Sequence, residues 1–151
     1  TANRRQRQMC IRDRSRRGLF DKNKTLWGGW WIENDNIKLV HLGDTGYTND
    51  FIEINKRLGS PDLAFIPIGA YAPRWIMKES HMNPEEAIKT AFDLDAKKSI
   101  GMHWGTFILT TEPTEEPRQI LENLIIEKDL NKDFFSTIIP GEVYLFDRKS
   151  N

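Results

Sequence analysis

Cysteine is almost absent from this chain. The single residue of that type, Cys10, lies in the first fourteen positions, which excludes a disulfide framework and a thiolate metal site. Net charge is absent too, since basic and acidic side chains number 22 each. No global field gathers polyanions, so nucleic acid is not an expected partner. No apolar run approaches the roughly twenty residues that a membrane-spanning helix needs, and no signal peptide is visible. Internal repeats, low-complexity tracts and domain linkers are missing as well. What remains is 151 residues with an ordinary 38% hydrophobic share, enough for one domain with a real core.

Strand and helix signals alternate along that domain. Residues 25–33 and 37–42 are separated by the turn-forming Asn34, Asp35 and Asn36, which predicts a hairpin. Thr48 or Asn49 caps a helix with Phe51, Ile54 and Leu58 on one face, stopped at Gly59. Residues 63–68 read as a short buried strand, and Pro67 near its end argues for an edge or a bulge. Asn83, Pro84, Glu85 and Glu86 form a helix start: Asn as cap, Pro first, and a Glu reaching back to the cap. Ala87, Ile88, Ala91 and Phe92 make the apolar stripe that follows. A strand at residues 99–104 leads through a polar loop with Pro113 and Pro117 to a helix carrying Ile120, Leu121, Leu124 and Ile125. Residues 134–139, Pro140, Gly141 and residues 143–146 predict a closing hairpin.

Two of these strands hand over to loops through residues with ligand chemistry. The run 37–42 is followed at once by Gly43 and Asp44, and the run 99–102 by His103. In open α/β sheets sites are built there, because the strand fixes the side chain while the loop leaves room for a ligand. A carboxylate bridges two cations and a neutral imidazole binds one, a donor set that suits zinc and its first-row neighbours. Each residue also has a plainer reading. Asp44 is a turn aspartate bonding its own backbone, His103 a core histidine bonded to a carbonyl, His81 an exposed or capping residue, and His41 structural. Arg74 either grips a phosphate in bidentate fashion or pairs with Glu79 or Asp62.

Five motifs stand in one order and spacing. They are Gly43-Asp44-Thr45-Gly46-Tyr47, the run from Asp62 to Tyr71, Pro73-Arg74-Trp75, His81-Met82-Asn83-Pro84-Glu85-Glu86-Ala87, and His103-Trp104-Gly105-Thr106-Phe107. Together they resemble the metallo-β-lactamase fold, in particular its branch of N-acyl-phosphatidylethanolamine-hydrolysing phospholipase D. The resemblance runs from about Ser15 to about Phe146, and Ser15, Arg16, Arg17, Asp21, Asn23 and residues 25–30 also fit it. The expected fold class is α/β, a metallo-β-lactamase-like αββα sandwich of which this is the C-terminal half. Half of such a sandwich leaves an apolar sheet face uncovered.

The resemblance implies two zinc ions as cofactors. It makes Asp44 the carboxylate that bridges them, His103 a ligand of one, and His81 a histidine beside the metals that contacts substrate. Asp44 and His81 are then the expected catalytic residues, with Tyr71 and Arg74 on the substrate side. The implied reaction is metal-assisted hydrolysis of N-acyl-phosphatidylethanolamine to an N-acylethanolamine and phosphatidic acid. The implied partner is a phospholipid or another small ester, with peripheral membrane contact and a cytoplasmic or peripheral-membrane location. Related members of the fold cleave sugar-phosphate lactones and other esters, because the fold does not set the substrate. Trp27, Trp30, Trp31, Trp75 and Trp104 most simply serve the core and sheet faces. In a lipid hydrolase some could instead line an acyl channel or rest at a membrane.

The chain also departs from that pattern. An upstream His-x-His-x-Asp-His motif is lacking, and Arg12, Asp13 and Arg14 stand where a Gln-His-Trp is expected. Met9 to Arg14 reads as a translated adapter end. Residues 1–14 are therefore expected to be foreign and outside the fold, and residues 15–151 the C-terminal portion of a domain that is inactive alone. The competing readings are a basic arm binding nucleic acid or anionic lipid, and a non-enzyme whose two or three ligands hold metal weakly.

Overall fold

Alternation along the strands decides which side chains become core. In a computed structural model, which describes residues 5–11 and 27–146, Trp31, Val40, Ala64, Ser99 and Phe135 are register partners across five strands. All five are buried. The strands are β1 (Arg5–Ile11), β2 (Trp27–Glu33), β3 (Lys38–His41), β4 (Leu63–Pro67), β5 (Lys98–Met102) and β6 (Phe135–Thr137), and they lie in that order in one sheet. β1 to β3 run antiparallel, while β3 to β6 are parallel. The parallel strands need crossovers, which are supplied by α1 (Asp50–Leu58), by α2 (Arg74–Met77) with α3 (Pro84–Asp93), and by α4 (Glu116–Glu127). Phe51 and Ile54 of α1, Ala87, Ile88 and Ala91 of α3, and Leu121 and Ile125 of α4 join the sheet residues in one core.

The other face is less well covered. Trp30 and Ile32 alternate with Trp31 and remain 45% exposed, as expected of a sheet that belongs to a layered sandwich. The hairpin at residues 34–36 is present, with the Asn34 carboxamide accepting the amides of Asn36 and Ile37. The start of α3 is a capping box, in which Asn83 accepts the Glu86 amide at 2.9 Å and Glu86 accepts the Asn83 amide at 3.3 Å. At α1 the Thr48 hydroxyl, not Asn49, accepts an amide of the first turn. Gly59 ends that helix at φ +81°.

Three expectations are corrected. β4 is neither an edge strand nor bulged; it lies between β3 and β5. Pro67 is tolerated because it is the last strand residue, and the next ladder bond comes from the Ile68 amide to Met102. Residues 5–11, read as foreign, pair along all of β2; a ladder joins backbone groups and needs no apolar periodicity. The closing hairpin does not form, because β6 pairs parallel with β5 and residues 142–146 carry no strand. Phe92 is exposed rather than core, with its ring 4.9 Å from that of Phe134. Ser15, Arg16, Arg17, Asp21 and Asn23 lie outside the described residues.

The parallel strands are locked at their starting ends by one buried carboxylate. Asp62 is 1% exposed; it accepts the Lys38 amide at 2.8 Å and the Lys97 ammonium at 2.7 Å, and its own amide donates to the Lys38 carbonyl at 2.8 Å. Removing the carboxylate orphans a part-buried amide, whereas Lys97 is 42% exposed and its partner stays bonded. Asp62→Ala should therefore cost about 2–3 kcal/mol and Lys97→Ala less than about 1 kcal/mol, as read from urea denaturation. Equal losses would overturn the lock.

Candidate metal centre

β3, β4 and β5 run parallel, so their C-terminal ends share one edge of the sheet. At the end of β3, His41 Nδ1 accepts the Gly43 amide at 3.2 Å, and Gly43 turns at φ +72°. That turn presents Asp44. Buried Thr45 donates its hydroxyl to the Gly46 carbonyl at 3.0 Å. Gly46 packs so closely on the backbone of Lys78 and Glu79 that a Cβ there would meet the Glu79 oxygen at 2.6 Å. This contact brings the segment ending in His81 against the Asp44 loop. A second close approach works from β4, where a Cβ on Gly69 would collide with the His103 carbonyl oxygen. His103 itself sits at φ +61°, a conformation a non-glycine residue adopts only at a cost.

The result is a convergent cluster. His81 Nε2 lies 3.1 Å from Asp44 Oδ1, and His103 Nε2 lies 3.6 Å from Asp44 Oδ2. One carboxylate thus offers a different oxygen to each imidazole, and the two rings are 5.6 Å apart. The three ligand atoms lie within 4.8 Å of one another. Asp44 is partly open to solvent while His81 is largely covered, and buried His81 Nδ1 has no hydrogen-bond partner. The arrangement differs from a turn aspartate bonding its own backbone and from a core histidine bonded to a carbonyl.

The structure brings Asp44, His81 and His103 together but commits Tyr71 and Arg74 elsewhere. Arg74 donates from Nη1 to the His81 carbonyl at 2.8 Å and from Nη2 to Glu86 at 2.7 Å, so neither Glu79 nor Asp62 is the ion-pair partner these bonds reveal. It ties the backbone of His81 to the start of α3. Tyr71 is buried and donates its hydroxyl to Glu116 at 2.5 Å. Burial, then the Glu116 carboxylate, pushes the phenol far above its ordinary range. Its amide and that of Ala72 donate to Glu112 at 3.0 and 3.1 Å. Burial alone would raise the Glu112 carboxyl, but bonds from Thr110 and from these backbone amides outweigh it and hold the group below the ordinary glutamate value. Beside His103 opens a cleft of about 360 Å³, lined by Gly69, Ala70, Trp104, Phe107 and Leu109 among others.

Sequence reasoning missed Glu112 and Glu86 as supports of the site. Glu112 sits in a polar loop and carries no local signal. Glu86 was legible as a cap, and its second partner, Arg74, could not be read from spacing. His41, read as structural, shapes the turn before Asp44.

A carboxylate and two imidazoles converging at the C-terminal edge of a parallel sheet define the class of α/β proteins that bind metal at strand ends. Comparison makes this particular. Residues 6–104 match the model of the Beta-lactamase superfamily domain, and the chain belongs to that family. It is 45% identical over 131 residues to N-acyl-phosphatidylethanolamine-hydrolyzing phospholipase D 1 of Caenorhabditis elegans, covering 85% of this chain and 37% of that protein. The mitochondrial N-acyl-phosphatidylethanolamine-hydrolyzing phospholipase D of Saccharomyces cerevisiae is 44% identical over 113 residues, covering 73% of this chain and 24% of the relative. Igni18, a metallo hydrolase of Ignicoccus hospitalis, superposes with a TM-score of 0.59 at 26% identity, covering 84% of this chain and 48% of that one. The fold is the expected metallo-β-lactamase fold, and the chain spans about a quarter to a third or slightly more of the two curated relatives.

His41 gives a pH test. Burial holds its pKa below the ordinary 6.5, so the unfolded chain takes up the proton first. The stability that neutral His41 contributes is full above about pH 6.5 and is lost as pH falls through the window below it. Denaturation midpoints measured between pH 7.5 and about 5 should decline, and His41→Gln should flatten that decline; an unchanged slope in the variant would reject the assignment.

Proposed function

We propose that the protein carrying this sequence is a metal-dependent hydrolase, and more narrowly a phosphodiesterase that cleaves N-acyl-phosphatidylethanolamine to an N-acylethanolamine and phosphatidic acid. The observation that carries the reading is the convergence of Asp44, His81 and His103 within 4.8 Å. Similarity to relatives named for this activity supports the substrate. The residues fit a metal: Asp44 presents two carboxylate oxygens toward two imidazoles, and His81 retains an unbonded buried nitrogen. Asp44 would bridge two zinc ions and His103 would ligate one, with further donors from outside residues 15–151. When bound, the ions supply Lewis acidity at the scissile phosphoryl oxygen and lower the pKa of a water toward neutrality.

The chain's own residues then do the rest. Asp44 turns one carboxylate oxygen toward His81 Nε2 and the other toward His103 Nε2, so that the three side chains face one side of the site. His81, whose backbone Arg74 fixes, holds a proton at Nε2 beside Asp44 and offers it to the substrate's phosphoryl or departing oxygen. Gly69 and the cleft beside His103 leave an apolar opening for the rest of an ester. Among the described residues three donors converge, a set too sparse to hold metal tightly or to support turnover by itself. We read residues 1–14 as adapter-derived; sequencing of the source DNA through the codons for Arg14 and Ser15 tests this.

Cobalt(II) is a direct probe. Added to the chain, it should give the visible absorption of a coordinated ion, and Asp44→Asn or His103→Ala should abolish it. In a full-length protein carrying these residues, either substitution should lower kcat on N-acyl-phosphatidylethanolamine by roughly a hundredfold or more. Activity that survives both substitutions would reject the site; turnover of a lactone or simple ester with none of the phospholipid would keep the site and reject the substrate.

A further inference from the structure

Glu112 is a buried carboxylate outside the cluster of three donors. It lies in the loop after β5 and is only 9% exposed, and a charge so placed is costly unless donors surround it. Here the donors come from the chain itself. The amides of Tyr71 and Ala72 each donate to a different oxygen, at 3.0 and 3.1 Å, and Thr110 adds a side-chain bond. Glu116 takes the Tyr71 hydroxyl. Two carboxylates from one segment thus grip Tyr71 at its amide and at its hydroxyl, which ties the loop after β5 to the loop after β4.

The gripped residues adjoin a strained turn. Ala70 sits at φ +61°, the same left-handed value as His103, and a residue with a side chain keeps that conformation only where its surroundings impose it. The two amides that follow Ala70 are the ones Glu112 holds. On the other side of Ala70, Gly69 packs so closely on the His103 carbonyl that a Cβ would collide with it. A path of contacts therefore runs from Glu112 through the Tyr71 amide, Ala70 and Gly69 to the backbone of His103, whose Nε2 lies 3.6 Å from Asp44. We propose that Glu112 is a latch, a positioning residue for the metal centre: by holding Ala70 in its left-handed turn it keeps Gly69 against the His103 backbone and so fixes where the His103 imidazole points. This deepens the metal-centre reading above and rests on it. His81 is placed by different contacts, those of Gly46 and Arg74, so the latch acts first on His103.

Histidine ring resonances of the full chain, recorded by NMR without metal and assigned through His103→Ala, test the proposal. Glu112→Gln keeps the size of the side chain but turns an N–H toward one of the two amides. It should move the His103 ring signal and leave that of His41 in place. Cobalt(II) affinity should fall about tenfold, at the lower end of what losing a group that orients a ligand causes. Glycine adopts a left-handed turn at no steric cost, so adding Ala70→Gly to Glu112→Gln should return the His103 signal and most of the cobalt affinity; a loss of general stability would not be recovered in this way. Urea denaturation checks that the variants fold. If Glu112→Gln does not, Thr110→Val, which removes one bond to the same carboxylate, should move the same signal. An unmoved His103 signal, or a displacement that Ala70→Gly leaves uncorrected, overturns the proposal. Cobalt binding that Glu112→Gln leaves unchanged overturns it too and keeps the metal site, whereas a chain that binds no cobalt yet shows the restored His103 signal rejects the metal and keeps the latch.

Discussion

The parallel register of β3, β4 and β5 is the constraint on which the rest depends. Asp44 and His103 are 59 positions apart in the sequence and meet only because the strands before them end together. Asp62 sets that alignment from the far end, where its side chain and amide hold the start of β3 while the Lys97 amide donates to the Pro61 carbonyl. A slip of one residue would turn each strand over, sending Val40 and Ala64 away from the helices. A buried carboxylate that accepts from both Lys38 and Lys97 fixes register, because it penalises any pairing that leaves it unsatisfied.

Glycine then brings the loops together at the other end. Gly46 against the backbone of Lys78 and Glu79, and Gly69 against that of His103, are contacts that any side chain would prevent. The first delivers His81 to Asp44 and the second holds His103 beside β4. Arg74 and Glu112 complete the support, one through the His81 carbonyl and the other through the amides of Tyr71 and Ala72. The Asp44 carboxylate, facing two imidazoles, is consequently placed from three directions by backbone contacts and by side chains that themselves have fixed partners. Such support matters because ligand geometry follows the groups that orient it.

Much of this was legible from residue patterns. The turn-forming cluster Asn34 to Asn36 between residues 25–33 and 37–42 announced the hairpin, and Asn83 with Pro84 and Glu86 announced the start of α3, because those signals are local. Asp44 and His103 were legible as strand-end donors for the same reason, and their partnership with His81 came from family resemblance. What remained hidden was non-local. The position of β4 inside the sheet could not be read from Pro67, whose lack of an amide matters only for the ladder bond it would have made. The pairing of residues 5–11 involves backbone groups, which composition does not report. The bonds of Arg74 to Glu86 and of Tyr71 to Glu116 depend on how α2, α3 and α4 pack, and a charged residue's neighbours in sequence do not reveal that packing.

The uncovered part of the sheet and the sparse donor set are two aspects of one geometry. Trp30 and Ile32 face away from the helices, and apolar surface of this kind is usually buried against a second layer in layered folds. Three donors at a strand edge likewise leave coordination positions to be filled from elsewhere. A second layer placed against Trp30 and Ile32 would favour the folded sheet through apolar burial, and donors carried beside it would favour the same arrangement through the metal. Since ligands that bind only the folded state stabilise it, the two contributions reinforce each other. Metal affinity and sheet stability in this fold should then rise together, because both depend on holding β3 and β5 in register.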